Sequence, residues 1–153
     1  INIIVPEITL RCVTKNDENL LFEWRNINEL VALSYYQKKV TIKEHKKWLV
    51  EKLISSDCEL FIIQKNNEGI GLIRMDLNVN KYELSIYLIP GSQGMGFGFI
   101  ALSQLLKSLK NKAYQYIAKV QITNIPSQKL FIKLNFIETS RDNSFIIYKK
   151  KST

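Results

Sequence analysis

Apolar residues in this chain switch between two periods, and the switches mark out its elements. Ile8 to Val13 alternates like a strand and stops at Thr14. Thr14 and Asp17 then have the spacing of a helix start, with Leu20, Leu21, Trp24 and Ile27 on one face behind them. A second capping pair, Thr41 and Glu44, opens a helix running to about Ile54, and Ile42, His45, Leu49 and Leu53 form its stripe with Trp48 beside it. Strand alternation returns over Leu60 to Gln64, Ile70 to Leu77 and Tyr82 to Ile89, the first two joined by Asn-Asn-Glu-Gly. Pro90 and Gly91 halt the third, after which Phe99, Leu102, Leu105, Leu106 and Leu109 recur at helical spacing. Tyr116 to Gln121 reads as a buried strand. Ile137 to Thr139 and Phe145 to Tyr148 read as a closing hairpin around Arg141 to Ser144.

Pairing Leu77 with Tyr82 sets a register with consequences. Asp76 then faces Glu83 and Arg74 faces Ser85, with Leu72 and Tyr87 completing that face. Ile73, Met75, Leu84, Ile86 and Leu88 take the other side as core. A slip of one residue would exchange the two faces.

Between the strand ending at Ile89 and the next helix lies GSQGMGFG. Gly94, Gly96 and Gly98 let backbone N–H groups converge where a helix begins, and the helix dipole adds to their attraction for an anion such as pyrophosphate. The turn lacks the Lys-Ser/Thr ending of a P-loop, and no acidic residue closes a following strand as a dinucleotide fold requires.

Composition narrows the classes of function. A chain of 153 residues that is 46% hydrophobic suits one domain with a proper core. No apolar run approaches the roughly eighteen residues of a membrane span, and the first residues lack the pattern of a signal peptide, which points to the cytoplasm. Cys12 and Cys58 have neither CxxC spacing nor histidine pairs near them, so no disulfide framework and no metal site are expected. The net charge of +8 favours anionic partners, yet the 22 basic residues are scattered and no nucleic-acid recognition motif stands out. The chain opens at Ile1 rather than Met, as a trimmed chain or one domain of a longer polypeptide would.

Gln93, Gly96 and Gly98 in QGMGFG fit the pattern Q/R-x-x-G-x-G/A, and this stretch resembles the acetyl-CoA loop of the GNAT superfamily of N-acetyltransferases. Asn124, Ser127, Phe131 and the Asn135-Phe136 pair resemble a second segment of that family, in which a helix packs beside CoA. The resemblance covers nearly the whole chain. It implies one α/β domain over residues 1–153: a mixed, mostly antiparallel sheet of six to seven strands flanked by about four helices, with a bulge common in the fourth strand. LLFEWRN, TIKEHKKWL, ELFIIQK and IGLIRMDL are similar to GNAT domains of bacterial nonulosonic-acid pathways, whose pseudaminic-type member acetylates a UDP-linked 4-amino-4,6-dideoxy sugar. In several such organisms a similar domain is fused behind the sugar-nucleotide hydrolase of the pathway. Ribosomal-protein N-terminal and polyamine acetyltransferases share parts of the pattern, and a GNAT domain that only binds acetyl-CoA is the alternative outside enzymes.

That resemblance implies roles residue by residue. Ile86, Tyr87 and Leu88 would bond the pantetheine arm as a neighbouring strand would, and Gln93, Gly94, Met95, Gly96, Phe97, Gly98 and Phe99 would hold the pyrophosphate. Asn124 would contact the pantetheine region, with Ser127 and Phe131 flanking the thioester. Many members carry Tyr at the place of Phe131 to protonate the leaving thiolate, which phenylalanine cannot do. A base must take a proton from the attacking amine. Glu83 is the first candidate and His45, the only histidine, the second. Arg25, Asn26, Trp48 and Arg74 are expected at the acceptor: a guanidinium suits a diphosphate, and an indole suits a sugar or uracil ring.

Overall fold

The computed structural model describes residues 5–110 and 115–152. Seven strands form one sheet: β1 (Ile8–Cys12), β2 (Cys58–Lys65), β3 (Glu68–Asn78), β4 (Lys81–Leu88), β5 (Gln115–Gln121), β6 (Ile137–Arg141) and β7 (Phe145–Lys151). Their order is β1-β2-β3-β4-β5-β7-β6, and only the β4–β5 contact is parallel. Among the described residues five α-helices flank the sheet: α1 (Glu18–Arg25), α2 (Asn28–Val31), α3 (Ile42–Ile54), α4 (Phe97–Ser108) and α5 (Ile125–Lys133). The one unexpected helix, α2, is a single turn too short to show a period.

Local chemistry sets the boundaries. Thr14 and Asp17 form a reciprocal capping box, opening a 3-10 turn over Lys15–Asp17 that runs into α1. Asp17 is buried, and the Arg11 guanidinium grips it through two bonds of 2.8 and 2.7 Å. That contact holds the Asp17 carboxyl below the usual carboxylate range and ties the start of α1 to β1. Thr41 and Glu44 cap α3 in the same way. The β2–β3 turn puts Asn66 and Asn67 both at positive φ, the conformation that a tight hairpin requires.

The sheet carries a core on each face. Ile73, Met75 and Leu84 are fully buried beneath Ala101, Leu102 and Leu105 of α4, with Phe131 of α5 completing that side. On the other face Leu60, Ile62 and Leu72 meet Leu21 and Trp24 of α1 and Leu49 of α3. The expected stripe on α3 is buried only at its centre. His45 and Leu49 are 4% and 1% exposed, whereas Ile42 and Leu53 are 52% and 38% exposed, because the helix meets the sheet along its middle turns and its ends overhang.

Candidate active site

Strand β4 is the spine of the site. Its register with β3 runs without a shift from Asn78–Lys81 to Gly71–Leu88, so Asp76 stands opposite Glu83 and Arg74 opposite Ser85; no bulge interrupts the pair. Along its other edge β4 meets β5 at three positions, the last being Glu83 with Ile117. Beyond Glu83 the two strands part, and β5 runs on paired only along its other edge, to β7.

The parting leaves main-chain groups open. Ile89 N–H donates to Ile70 O at 2.9 Å, so by antiparallel alternation Tyr87 and Ser85 also face β3, while Ile86 and Leu88 face the gap. Ile86 thus offers an N–H and a C=O to anything lying there. Leu88 offers only its N–H, because Gln93 Nε2 already donates to Leu88 O at 2.8 Å. Tyr87 differs from its neighbours: its backbone is spent on β3, and its ring meets Trp24 edge-on beneath α1. Burial pushes the Tyr87 phenol far up, so it stays protonated.

Past β4, the chain turns into α4 through glycines at positive φ: Gly91, Gly94 and Gly96, the last at +83° as the cap of the helix. Inside α4 the first partner is found by Ile100 N–H on Gly96 O, which leaves the amides of Phe97, Gly98 and Phe99 without helical acceptors. Gly98 itself serves packing. It is buried, and a Cβ there would come within 3.3 Å of Leu130 and 3.5 Å of Ile86. The Phe97 ring points into the core, Phe99 lies under the Lys133 ammonium at 4.3 Å, and Met95 is exposed on the turn. Across the gap, Asn124 caps α5 by accepting from Ser127 N–H at 3.3 Å. Phe131 is 2% exposed and packs on Phe136 and Tyr148, presenting no hydroxyl.

A cleft of about 830 Å³ opens on the α1/α3 side of the sheet and reaches Ile86, Asn124, Ser127 and Phe131. Glu83 lines it at the point where β4 and β5 part, exposed and outside every ion pair among the described residues. Its neighbour Asp76 is matched by Arg74, with Nε to Oδ2 at 2.9 Å, so Arg74 enters the cleft already paired. Two other polar groups are not paired. Arg25 Nη1 and His45 Nδ1 are the buried side-chain atoms without a hydrogen-bond partner among the described residues, and both residues line the cleft. The His45 ring is held edge-on by Phe22 and tilted 5.3 Å from Trp48. Burial lowers its pKa, with Arg25 adding to the effect against the pull of Glu18.

Asn26 is placed otherwise than the sequence suggested. Its amide donates to Val40 O and accepts from Val40 N–H, both at 2.9 Å, so it clamps the loop before α3 and does not line the cleft. That loop, residues 32–41, carries groups that sequence reasoning passed over. Tyr35, Tyr36 and Lys38 reach the cleft from it, and Lys119 and Phe145 meet them from the sheet. The Tyr35-Tyr36 doublet in a polar stretch was the available signal, but nothing local says what it faces.

No group of three or more His, Cys, Asp or Glu among the described residues could hold a metal ion, and no described helix is long and apolar enough to cross a membrane. A strand pair parted beside a glycine turn that opens a helix defines a class of domain, one able to seat an extended ligand as an added strand with its anion on the helix start. The chain belongs to the acetyltransferase (GNAT) domain family, whose model matches residues 7–137. An uncharacterized protein of Methanocaldococcus jannaschii is 32% identical over 149 residues, covering 92% of this chain; the chain spans 30% of that protein's length. The crystal structure of a domain from the same organism superposes with a TM-score of 0.85 at 30% identity, covering 96% of this chain and 99% of that one. Two further structures share the fold. Campylobacter jejuni N-acetyltransferase PseH in complex with acetyl coenzyme A has a TM-score of 0.74 at 21% identity, covering 96% and 100% of the two chains. Vibrio cholerae spermidine N-acetyltransferase in complex with CoA and spermine has a TM-score of 0.84 at 15% identity, covering 95% of each.

Proposed function

We propose that this domain transfers the acetyl group of acetyl-CoA to the amine of a nucleotide-linked amino sugar, the amine attacking directly while both substrates are bound. Acetyl-CoA supplies an acetyl thioester. Ile86 and Leu88 would hold its extended arm along the open edge, and the free amides at the start of α4, with Gly94 and Gly96 shaping the turn, would receive its pyrophosphate. Gln93 and Gly98 keep that turn and its packing in shape, while Tyr87 lies under the acceptor and not along the arm. Asn124, Ser127 and Phe131 flank the far end of the cleft, where the thioester would lie. Phe131 gives no proton. A thiol of ordinary pKa, about 8.5, leaves as a thiolate without a strong acid, so turnover does not depend on one.

The observation that carries the reading is the position of Glu83. It is a carboxylate in no ion pair among the described residues, on the cleft face at the last residue before β4 and β5 separate, so it borders both the open edge and the acceptor space. In that place it would take the amine's proton, directly or through water. His45 is the second candidate; its lowered pKa keeps it neutral near pH 7 and able to accept a proton. Arg25, with an unsatisfied nitrogen facing the cleft, suits a diphosphate, and Trp48 a sugar ring. Lys38 and Lys119 add positive charge to the same cleft, which disfavours a polyamine. The similarity of LLFEWRN, TIKEHKKWL, ELFIIQK and IGLIRMDL to GNAT domains of nonulosonic-acid pathways supports the same acceptor class, and fusion to a sugar-nucleotide enzyme would follow from it.

Release of CoA from acetyl-CoA is the test, with UDP-linked 4-amino-6-deoxy sugars, spermidine and a short peptide with a free N-terminus as acceptors. Turnover confined to the sugar nucleotides is expected. Turnover only with peptide or spermidine, or tight acetyl-CoA binding without turnover, overturns the proposed acceptor.

A further inference from the structure

The cleft ends in an aromatic platform that no step of acetyl transfer requires. Tyr35 stacks on Phe145 with 15° between the planes and 6.0 Å between centroids, and Tyr36 meets Tyr35 edge-on at 4.9 Å. The Lys119 ammonium lies 4.5 Å from the centre of the Phe145 ring and 5.6 Å from that of Tyr35. Although one of its faces rests on Phe145, Tyr35 is 67% exposed, and Tyr36 is 74% exposed. Two neighbouring tyrosines left this open gain little for folding, since most of their apolar surface still meets water.

The stack is not what holds its loop. Buried Gln121, only 8% exposed, donates from Nε2 to the carbonyls of both Leu33 and Ser34, at 3.3 and 3.2 Å. Asn26 clamps Val40 at the other end, and Ser34 Oγ donates to Val31 O at 2.7 Å. With three side chains already fixing the backbone, the Tyr35 ring is presented on a loop that needs no help from it.

Resting on the proposed acceptor class, we infer that Tyr35, Phe145 and Lys119 form the subsite for the nucleobase and adjoining phosphate of a nucleoside diphosphate. A planar base stacks on the open face of Tyr35, as bases do on aromatic side chains generally, and extends a stack that Phe145 begins. Lys119 supplies the charge for the phosphate, and Lys38 and Arg25 line the same cleft on the way to Glu83. The amine then meets the acetyl group at the deep end while the base rests on the rim. The platform thereby selects for the carrier, and Glu83 for the amine.

The test measures binding of UDP, uridine and inorganic pyrophosphate by calorimetry, together with KM and kcat for a UDP-linked amine, in the wild type and in Tyr35→Ala, Tyr35→Phe and Lys119→Gln. Tyr35 and Lys119 are exposed, so these variants keep the fold. Expected for Tyr35→Ala is about a 10-fold weaker UDP affinity and an equal rise in KM, with kcat unchanged and Tyr35→Phe close to wild type. Lys119→Gln should weaken UDP more than uridine. UDP affinity unchanged in Tyr35→Ala, or no binding of UDP by the wild type, overturns the platform. If UDP binds through Tyr35 but no UDP-linked amine is acetylated, the platform stands and the acceptor reading falls.

Discussion

The two faces of β3 and β4 are built to different standards. Beneath α4 and α5, Ile73, Met75 and Leu84 are between 0% and 1% exposed, and the face is closed by apolar contact alone. On the opposite face the same strands present Arg74, Asp76, Glu83 and Ser85, roofed by helices that leave Arg25 Nη1 and His45 Nδ1 without partners among the described residues. A folded chain ordinarily pairs its buried polar atoms, so unpaired ones gathered in a cleft mark where the molecule is finished by something other than itself. Both faces carry a core, but only the α1/α3 face keeps polar strand residues open to a cleft beside its core.

Substitutions can break that contrast. Leu102→Ala, at the closed face, should lower stability by about 3 kcal/mol, read as a drop in the urea midpoint. A loss under about 1 kcal/mol would mean that this face is less tightly packed than its burial implies. Glu83→Gln on the open face should leave that midpoint unchanged and reduce kcat about 100-fold, with the loss persisting at high pH. Near-full activity would shift the base to His45, and His45→Gln under the same conditions decides between them. At the border of the two faces, Gly96→Ala forces an L side chain into φ +83°, costing about 1 kcal/mol, and should weaken acetyl-CoA binding in a fluorescence titration.

Smaller effects sharpen the contrast. Burial lowers the His45 pKa in the folded state, so below its unfolded value of about 6.5 the unfolded chain binds the extra proton first. Stability should therefore fall as pH drops from 7 toward 5, and His45→Gln should flatten that part of the Tm profile. A wild-type profile with no such slope would remove the argument. Arg25→Ala should change folding stability by no more than about 0.5 kcal/mol, because it deletes a buried donor that has no partner among the described residues.

This same contrast governs how much could be read from the sequence. The seven strands followed from periodicity and both capping boxes from residue spacing, while the β3–β4 register depended on pairing Leu77 with Tyr82, the alternative that the fold adopts over a one-residue slip. The glycine turn was legible because a backbone site leaves its mark in consecutive residues. What the pattern hid was tertiary. Asn26 sits beside Arg25 in sequence yet turns its amide to Val40, because the chain doubles back over residues 27–40. Tyr87 shares a strand with Ile86 but spends its backbone on β3, a difference set by pairing parity and invisible in residue type. The cleft gathers Arg25, His45, Tyr35 and Lys119 from four separate segments, and no local spacing connects them.

The parallel join of β4 to β5 has a dynamic consequence. Within the sheet, three paired positions join the β1–β4 portion to the β5–β7 portion, linking segments more than thirty residues apart in the chain, Lys81 to Glu83 with Gln115 to Ile117, while one shared apolar core spans both portions. Opening there breaks few hydrogen bonds and leaves both portions internally paired. It is therefore the low-energy breathing mode expected of this sheet, below global unfolding. Ile122 N–H donates to Ser144 O, so by alternation the Ala118 N–H faces β7 and the Ile117 N–H faces the seam, and amide exchange should be faster at Ile117 than at Ala118. A ligand laid along Ile86 would bridge the seam and slow that exchange from both sides, so a join of few hydrogen bonds would become a fastened one during turnover.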